Sequence, residues 1–288
     1  MRDSLWYADG TKLNLYYKVY GKDGKWAMKT TQVYEVIDAY SEVLLGYHIS
    51  DSEDFRAQYN AFRMAIGTAG HRPYEIVTDN QGGHKKLDAG GFFDRITGHV
   101  SRRTAPYNPQ SKSIEALFGR FQAQVLHKDW RFTGQNITTK TEKSRPNLEF
   151  VLANQEHLYT LEELRIAYAK AREEWNLAPH PATGRPRIEM YRESVNPDTQ
   201  PVGVNDMVEM FWVITEKPST FTSAGITISV AKKKYTYEVL AAYVMPDMEF
   251  RRKNNYRQLP GLYAPLALTK VNLRQPPPPD LPPSRQAR

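Results

Sequence analysis

YEIVTDNQGG, residues 74–83, decides the fold. Its first part, Tyr74 to Val77, is a short β-type apolar run. It passes through Asp79 into a loop of Asn80, Gln81, Gly82 and Gly83. A strand that runs into a carboxylate and then a glycine loop puts that carboxylate at the end of a sheet element, not on a solvated face. Toward the N-terminus, Phe55, Tyr59, Phe62 and Ile66 show a helical period that ends at Gly67 or Gly70. Before them lie two strand candidates, Thr31 to Ile37 and Val43 to Ile49. Earlier still, the alternating Leu13, Leu15, Tyr17 and Val19 predict extended structure with a hairpin turn in Gly21 to Gly24. Toward the C-terminus, His99 to Arg103 predicts another strand. Pro106 and Pro109 forbid a helix interior there, and Ser111 is expected to cap a helix burying Ile114, Leu117, Phe118, Phe121 and Val125. Three strands, helix, strand, loop, strand, helix reads as a mixed α/β sheet with flanking helices.

Beyond that unit, residues 133–158 are polar and read as a loop or inserted excursion. Leu161 to Trp175 predicts an amphipathic helix, followed by Asn176 and the Pro-broken run Pro179 to Pro186. From Val202 the pattern turns to β, with strands expected at Val208 to Ile214, Gly225 to Val230, Tyr235 to Leu240 and Ala242 to Val244. The end, QPPPPDLPPSRQAR, suits an extended polyproline-like tail. The expected organisation is an α/β unit over 1–195, a small all-β barrel over 196–262 and a Pro-rich disordered tail over 263–288.

The 288 residues contain no cysteine, which excludes disulfides, a thiol nucleophile and Cys-ligated zinc or iron–sulfur clusters in this chain. No membrane span or signal peptide is legible, so a cytoplasmic protein is expected. The net charge of +7 is unevenly spread. Residues 1–78 carry 9 basic and 10 acidic side chains, whereas residues 79–145 carry 12 and 6. Residues 146–215 carry 6 and 11, and residues 216–258 carry 8 and 4. The two positive blocks are separate, and the first interleaves Arg102, Arg103, Tyr107, Arg120, Lys128 and Arg131 with further aromatics. Such a mixture suits a phosphate backbone with bases to stack on.

Three acidic residues stand at the ends of expected elements: Asp9 in the first strand segment, Asp79 past the fourth strand, and Glu115 in the first turns of the helix after Pro109. Converging carboxylates repel one another unless divalent cations neutralise them. Oxygen-only donors favour Mg²⁺ or Mn²⁺, and two such ions would suit in-line phosphoryl transfer. The thirty-five residues between Asp79 and Glu115 are weak evidence as a spacing. The strand, loop and helix contexts do the discriminating.

The segments WYADGTKLN, VYEVIDAYSEVLLGYHIS, YEIVTDNQGG and TAPYNPQSKSIEALFGRFQ resemble the consecutive motifs of the integrase catalytic core of DDE transposases and retroviral-type integrases. WNLAPHPATGRPRIEMY resembles the segment after that core, and FTSAGITISVAKKKYTYEVL the small β-barrel of phage Mu-type transposases. The resemblance implies a ribonuclease H-like fold and a recombinase that nicks DNA at an element's ends and joins the exposed 3′-OH to target DNA. It implies two Mg²⁺ or Mn²⁺ ions on Asp9, Asp79 and Glu115. Asp38, in VIDAYS, matches a position that is not a ligand. It further implies DNA contacts from Asn80, Gln81, Tyr107, Asn108 and Lys112, and the first basic block adds Lys85, Lys86, Arg102 and Arg103; where relatives carry Lys or Arg past the Glu this chain has Phe118, Gly119 and Gln122, with Arg120 the nearest cation. Lys232, Lys233, Lys234, Arg251 and Arg252 would serve the second domain. Double-stranded DNA, a homo-oligomer on DNA and, in the Mu-like branch, an AAA+ target-selection ATPase are the implied partners, with nucleoid association when bound. The alternative from another class is a catalytically silent DNA-binding protein derived from a transposase.

Overall fold

The computed structural model describes residues 1–21, 24–52, 54–78, 91–103, 109–134, 148–211, 213–214, 218–230, 233–241, 245–259, 261–264 and 267–273. Within the first compact unit, Met1–Val204, the strands are β1 (Leu5–Tyr20), β2 (Trp26–Asp38), β3 (Leu44–Ser50), β4 (His71–Arg72), β5 (Glu75–Thr78), β6 (Val100–Arg103) and β7 (Gln200–Pro201). The helices are α1 (Phe55–Ala69), α2 (Phe92–Ile96), α3 (Pro109–Gln124), α4 (Leu148–Ala153), α5 (Leu161–Leu177) and α6 (Arg187–Glu193). Five strands form one sheet in the order β3-β2-β1-β5-β6. β1 runs antiparallel to β2 and parallel to β5, and β5 runs parallel to β6. This is the ribonuclease H-like mixed sheet that the element order predicts, with helices on both faces.

Alternation along the strands sorts side chains to the two faces. Trp6 and Ala8 of β1 and Tyr34 and Val36 of β2 are buried on one face, where Tyr34 packs on Phe62 of α1. Val33 and Ile37 on the other face join a core with Ile114, Leu117, Phe118 and Phe121 of α3 and Leu164, Tyr168 and Trp175 of α5. Asp54 caps α1 by accepting from the backbone N–H of Arg56 and Ala57, and Gly70 ends it at a φ of 69°. Thr160 and Glu163 form a capping box for α5. Gly46 of β3 lies so close to α1 that a Cβ there would come 2.2 Å from the Ala61 carbonyl oxygen.

Two expectations for this unit are corrected. Helix α3 starts at Pro109, three residues earlier than a Ser111 cap would have it, because proline's fixed φ suits a first helical position. Part of the polar stretch expected as a loop is helical, namely α4, whose Val151 is buried.

The second unit, Asn205–Arg288, includes most of α7 (Val204–Phe211), followed by β8 (Val213–Ile214), β9 (Ser219–Thr222), β10 (Gly225–Val230) and β11 (Lys233–Tyr237). After these come α8 (Met248–Asn254), β12 (Gln258–Leu259), β13 (Gly261–Ala264) and β14 (Ala267–Leu273). Two small antiparallel sheets result, β11-β10-β9-β12 and β14-β13-β8. Phe221, Ile226 and Leu259 form their own core with Phe250 of α8 packed against it. Residues 208–211, expected in a strand, are helical, with Met210 and Phe211 buried. The β13–β14 hairpin carries regular structure to Leu273, within the stretch expected as a disordered tail. No helix among the described residues is long and apolar enough to cross a membrane.

Candidate functional site

The parallel ladder between β1 and β5 pairs Leu5 with Glu75 and ends at Ala8 with Thr78. The next residue of each strand's sequence is an aspartate, Asp9 on one side and Asp79 on the other. Asp9 is half-buried, and its Oδ1 accepts the Gly10 N–H at 2.8 Å. In the β1–β2 ladder it stands opposite Glu35, so both project from the same sheet face. Val33 and Ile37 share that face and pack with α3, the helix that carries Glu115. Glu115 itself is exposed, beside the buried Ile114. Asp79 lies outside the described residues, and among those described no three metal-ligating side chains converge. The donor set of Asp9, Asp79 and Glu115 is all carboxylate oxygen, which fits a hard divalent cation.

Asp38 differs from Asp9 in every respect that matters for a ligand. It is fully buried, and its carboxylate accepts the Asp3 N–H at 2.8 Å, the Ser41 N–H at 2.9 Å and the Ser41 hydroxyl at 2.6 Å. Burial pushes its pKa up to about 6 despite those donors. Asp3, also buried, accepts from Trp6 Nε1 at 2.9 Å and from the Tyr191 hydroxyl at 2.7 Å. The pair tie the chain's start to the β2 end and to α6, which is an architectural role.

The expected DNA contacts are dispersed. Asn80, Gln81, Lys85, Lys86, Tyr107, Asn108 and Lys232 lie outside the described residues. Arg102 and Arg103 occupy the last β6 positions, paired in register with Val77 and Thr78. Lys112 falls in the first turns of α3. Arg120 forms an ion pair with Glu42. In the second unit, Lys233 and Lys234 lie on β11 opposite Val230 and Ser229. Arg251 is held by the Glu238 carboxylate and the Ser223 carbonyl, while Arg252 beside it is exposed.

Sequence reading missed two ionic groups, a buried one on Glu35 and a half-buried one on Glu42. Glu35 accepts the Tyr168 hydroxyl at 2.8 Å and pairs with Arg172 Nε at 3.0 Å, and the Arg172 guanidinium stacks 4.2 Å from the Tyr47 ring. Burial raises the Glu35 pKa to about 7, against the opposing pull of Arg172. Glu42 pairs with both Arg120 and Arg187, and the Arg187 guanidinium lies 3.5 Å from the Trp175 ring centroid. Arg187 also donates to the carbonyls of Ala178 and Pro179. Asn176 pairs both its amide groups with the Leu44 backbone. The WN…PH…GRPR run therefore locks α5 onto the β3 edge. The available signal was a charged residue interrupting an apolar alternation, as Glu35 does in VYEVID.

No protein-family model matches the sequence, and no curated protein is similar to it. Solved structures align with the fold, among them two viral proteins. One is from the simian T-cell lymphotropic virus intasome in complex with PP2A regulatory subunit B56 gamma, at 15% identity and a TM-score of 0.44, covering 81% of this chain and 75% of that one. The other is the catalytic core domain of BIV integrase, at 16% identity and a TM-score of 0.37, covering 66% of this chain and 95% of that one.

Proposed function

We propose that the chain is a DDE-type DNA recombinase that nicks DNA 3′ ends and joins them to target DNA, acting as an oligomer on DNA. The observation that carries this reading is the β1–β5 ladder, which ends one residue before Asp9 and one before Asp79, on a sheet packed against the helix of Glu115. Asp9, Asp79 and Glu115 would hold two Mg²⁺ or Mn²⁺ ions. When bound, these stabilise charge on the entering and leaving oxygens of phosphoryl transfer. The buried Glu35–Arg172–Tyr168 group fixes the strand beside Asp9, so that carboxylate is presented from a rigid element. Arg102 and Arg103 end β6, the strand beside β5, and together with Lys112 of α3 they would neutralise the phosphates of the DNA strand. In the second unit Lys234 and Arg252 present exposed cations for further backbone contact. A Mu-like second domain would bring target choice by an AAA+ ATPase as an added expectation.

Nicking and strand transfer on a labelled duplex with a recessed 3′-OH, in Mg²⁺ and in Mn²⁺, test the proposal. The expected result is metal-dependent activity that Asp79→Asn and Glu115→Gln each abolish while DNA binding persists. Binding without either reaction in either metal identifies a silent DNA-binding protein instead. Activity that survives both substitutions removes the three-carboxylate site altogether.

A further inference from the structure

Just past the end of α8 the chain turns a corner into β12 with its backbone pinned. Asn254 is buried and donates its side-chain amide to the Phe250 carbonyl at 2.9 Å. The Tyr256 N–H donates to the Phe221 carbonyl at 2.8 Å, the Phe221 N–H to the Arg257 carbonyl at 2.9 Å, and the Arg257 N–H to the Asn254 carbonyl at 3.0 Å. Phe221 belongs to the core of this unit, so the corner is tied to that core directly. Between these anchors Tyr256 is held at a φ of 59°, left-handed backbone that glycine and asparagine adopt readily and a bulky residue rarely does.

Tyr256 is 76% exposed, more than any other tyrosine, tryptophan or phenylalanine among the described residues. Arg252, Lys253, Asn255 and Arg257 around it are exposed as well, and no side-chain hydrogen bond or ion pair joins any of the four to another described residue. The nearby carboxylates are placed elsewhere. Asp247 accepts the Phe250 N–H as the cap of α8, Glu238 holds Arg251, and Glu249, exposed one turn before Arg252 and Lys253, forms an ion pair with neither among the described residues. Cations in a helix's last turn suit its dipole, which accounts for Arg251, Arg252 and Lys253. It does not account for Arg257 beyond the helix, nor for a tyrosine where asparagine would strain the backbone less. A residue whose backbone and exposed ring both work against stability, on a corner held this firmly, is strain of the kind retained for a contact.

We infer that the corner between α8 and β12 is a DNA-contacting tip of the second unit: Tyr256 packs its ring on a nucleotide, and Arg252, Lys253 and Arg257 neutralise neighbouring phosphates. The inference rests on the reading of the chain as a DNA recombinase and adds Lys253, Tyr256 and Arg257 to its contacts. Charge selects the occupant. Three cations fall within the six residues from Arg252 to Arg257, which contain no acidic residue, in a stretch of the chain that carries 8 basic and 4 acidic side chains. Cations around an open aromatic ring are the combination that nucleic acid strands recruit, through counterion release and stacking.

The test is the affinity of the full chain for a labelled DNA duplex with a single-stranded overhang, by fluorescence anisotropy over a range of salt concentrations, with thermal melting of each variant alongside. Tyr256→Asn relieves the left-handed backbone and removes the ring together. It is expected to melt no lower than wild type and to weaken binding about tenfold at an unchanged log–log salt slope. Tyr256→Phe keeps the ring and is expected to bind within about twofold of wild type. Arg252→Ala/Lys253→Ala/Arg257→Ala is expected to weaken binding about tenfold or more and to flatten the slope by about one unit for each phosphate no longer neutralised. Unchanged affinity in Tyr256→Asn overturns the tip, and so does a melting temperature several degrees below wild type, because the ring then serves the fold. A Tyr256→Phe chain as weak as Tyr256→Asn rules out ring packing, and an unchanged slope in the triple variant rules out the phosphate contacts. In each of these cases binding by the wild type leaves the recombinase reading intact. A wild-type chain that binds no DNA overturns both.

Discussion

The two ends of the β1–β2 pair share one backbone ladder and have opposite chemistry. At the sheet end, Asp9, Glu35, Asp38 and Asp3 crowd within a few residues, and all but Asp9 are buried. At the other end, a ribbon of residues 18–20 and 26–29, lysines and open aromatic rings dominate. Strand propensity is satisfied equally well at both. The difference comes from neighbours: β3, β5, α3 and α5 cover the first end, whereas at the second Val19 and Tyr20 pair with Ala27 and Trp26 of their own hairpin. Buried carboxylates need dedicated donors, and the sheet end supplies them through Tyr168, Arg172, Ser41 and Tyr191. At the ribbon end the Lys18 ammonium is met by a backbone carbonyl, that of Glu156, and by the Trp26 ring.

The largest effect that would break this comparison is chemical. Removing one carboxylate of the proposed site, with Asp9→Asn or Glu115→Gln, is expected to lower nicking and strand transfer by more than about a hundredfold, since losing just a partner of a metal ligand already costs about 10–100-fold. Product gels read the loss, and anisotropy should find DNA binding within about twofold of wild type. Retained activity in Asp9→Asn would move the site away from the sheet end.

Next in size are packing changes that should hurt the sheet end alone. Trp6 is fully buried and donates its indole N–H to Asp3, so Trp6→Ala is expected to cost about 3–5 kcal/mol. Gly46→Ala meets the α1 backbone and is expected to cost about 1–3 kcal/mol or more, because helix and strand must separate. Chemical denaturation measures both. A Gly46→Ala protein as stable as wild type would mean that α1 does not lie where it is described.

A smaller effect, with a definite sign, is the pH dependence of Asp38. Its folded pKa is raised to about 6 from an ordinary 3.8, so the folded state holds the proton more tightly than the unfolded chain does. This group's contribution is fully present below about pH 4 and is lost as pH rises through about 6. Comparing Asp38→Asn with wild type isolates it from the other carboxylates. The difference in melting temperature should move in the variant's favour between about pH 4 and pH 6, then level off. A shift in the opposite direction would show that the Ser41 and Asp3 donors outweigh burial.

Much of the sheet was legible in the sequence because its strands end in turn residues and its helices carry a 3.6-residue apolar stripe. Phe55 to Ile66 predicted α1 to within a few residues, and Gly70 ended it. The second unit was harder to read. Its segments are short, and Val204, Met207, Val208 and Phe211 fit a helical face as well as an alternating run, so only tertiary packing chose the helix. At the site, Asp9, Asp79 and Glu115 were visible by context alone. Glu35, Arg172 and Arg187 were not, because a buried ion pair depends on two elements far apart in sequence. The ribbon's charge was hidden by averaging: its lysines are offset by the acidic residues of the sheet end within the same stretch.

The smallest predicted effect bears most directly on what the ribbon is for. If Trp26 and Tyr20 were there chiefly to hold the hairpin, removing Trp26 would destabilise the fold as a core aromatic does. Its ring is instead half exposed, meets Tyr20 edge to face, and carries Lys18 above it, interactions worth about 1–2.5 kcal/mol together. Trp26→Ala is therefore expected to lower the denaturation free energy by about 1–2.5 kcal/mol, less than the cost of Trp6→Ala on the same β1–β2 pair. The two substitutions measured side by side compare one residue type at the two ends of one ladder. Equal costs would mean that the ribbon is packed like the sheet, with its two rings held as firmly as the buried Trp6, although Trp26 is half exposed.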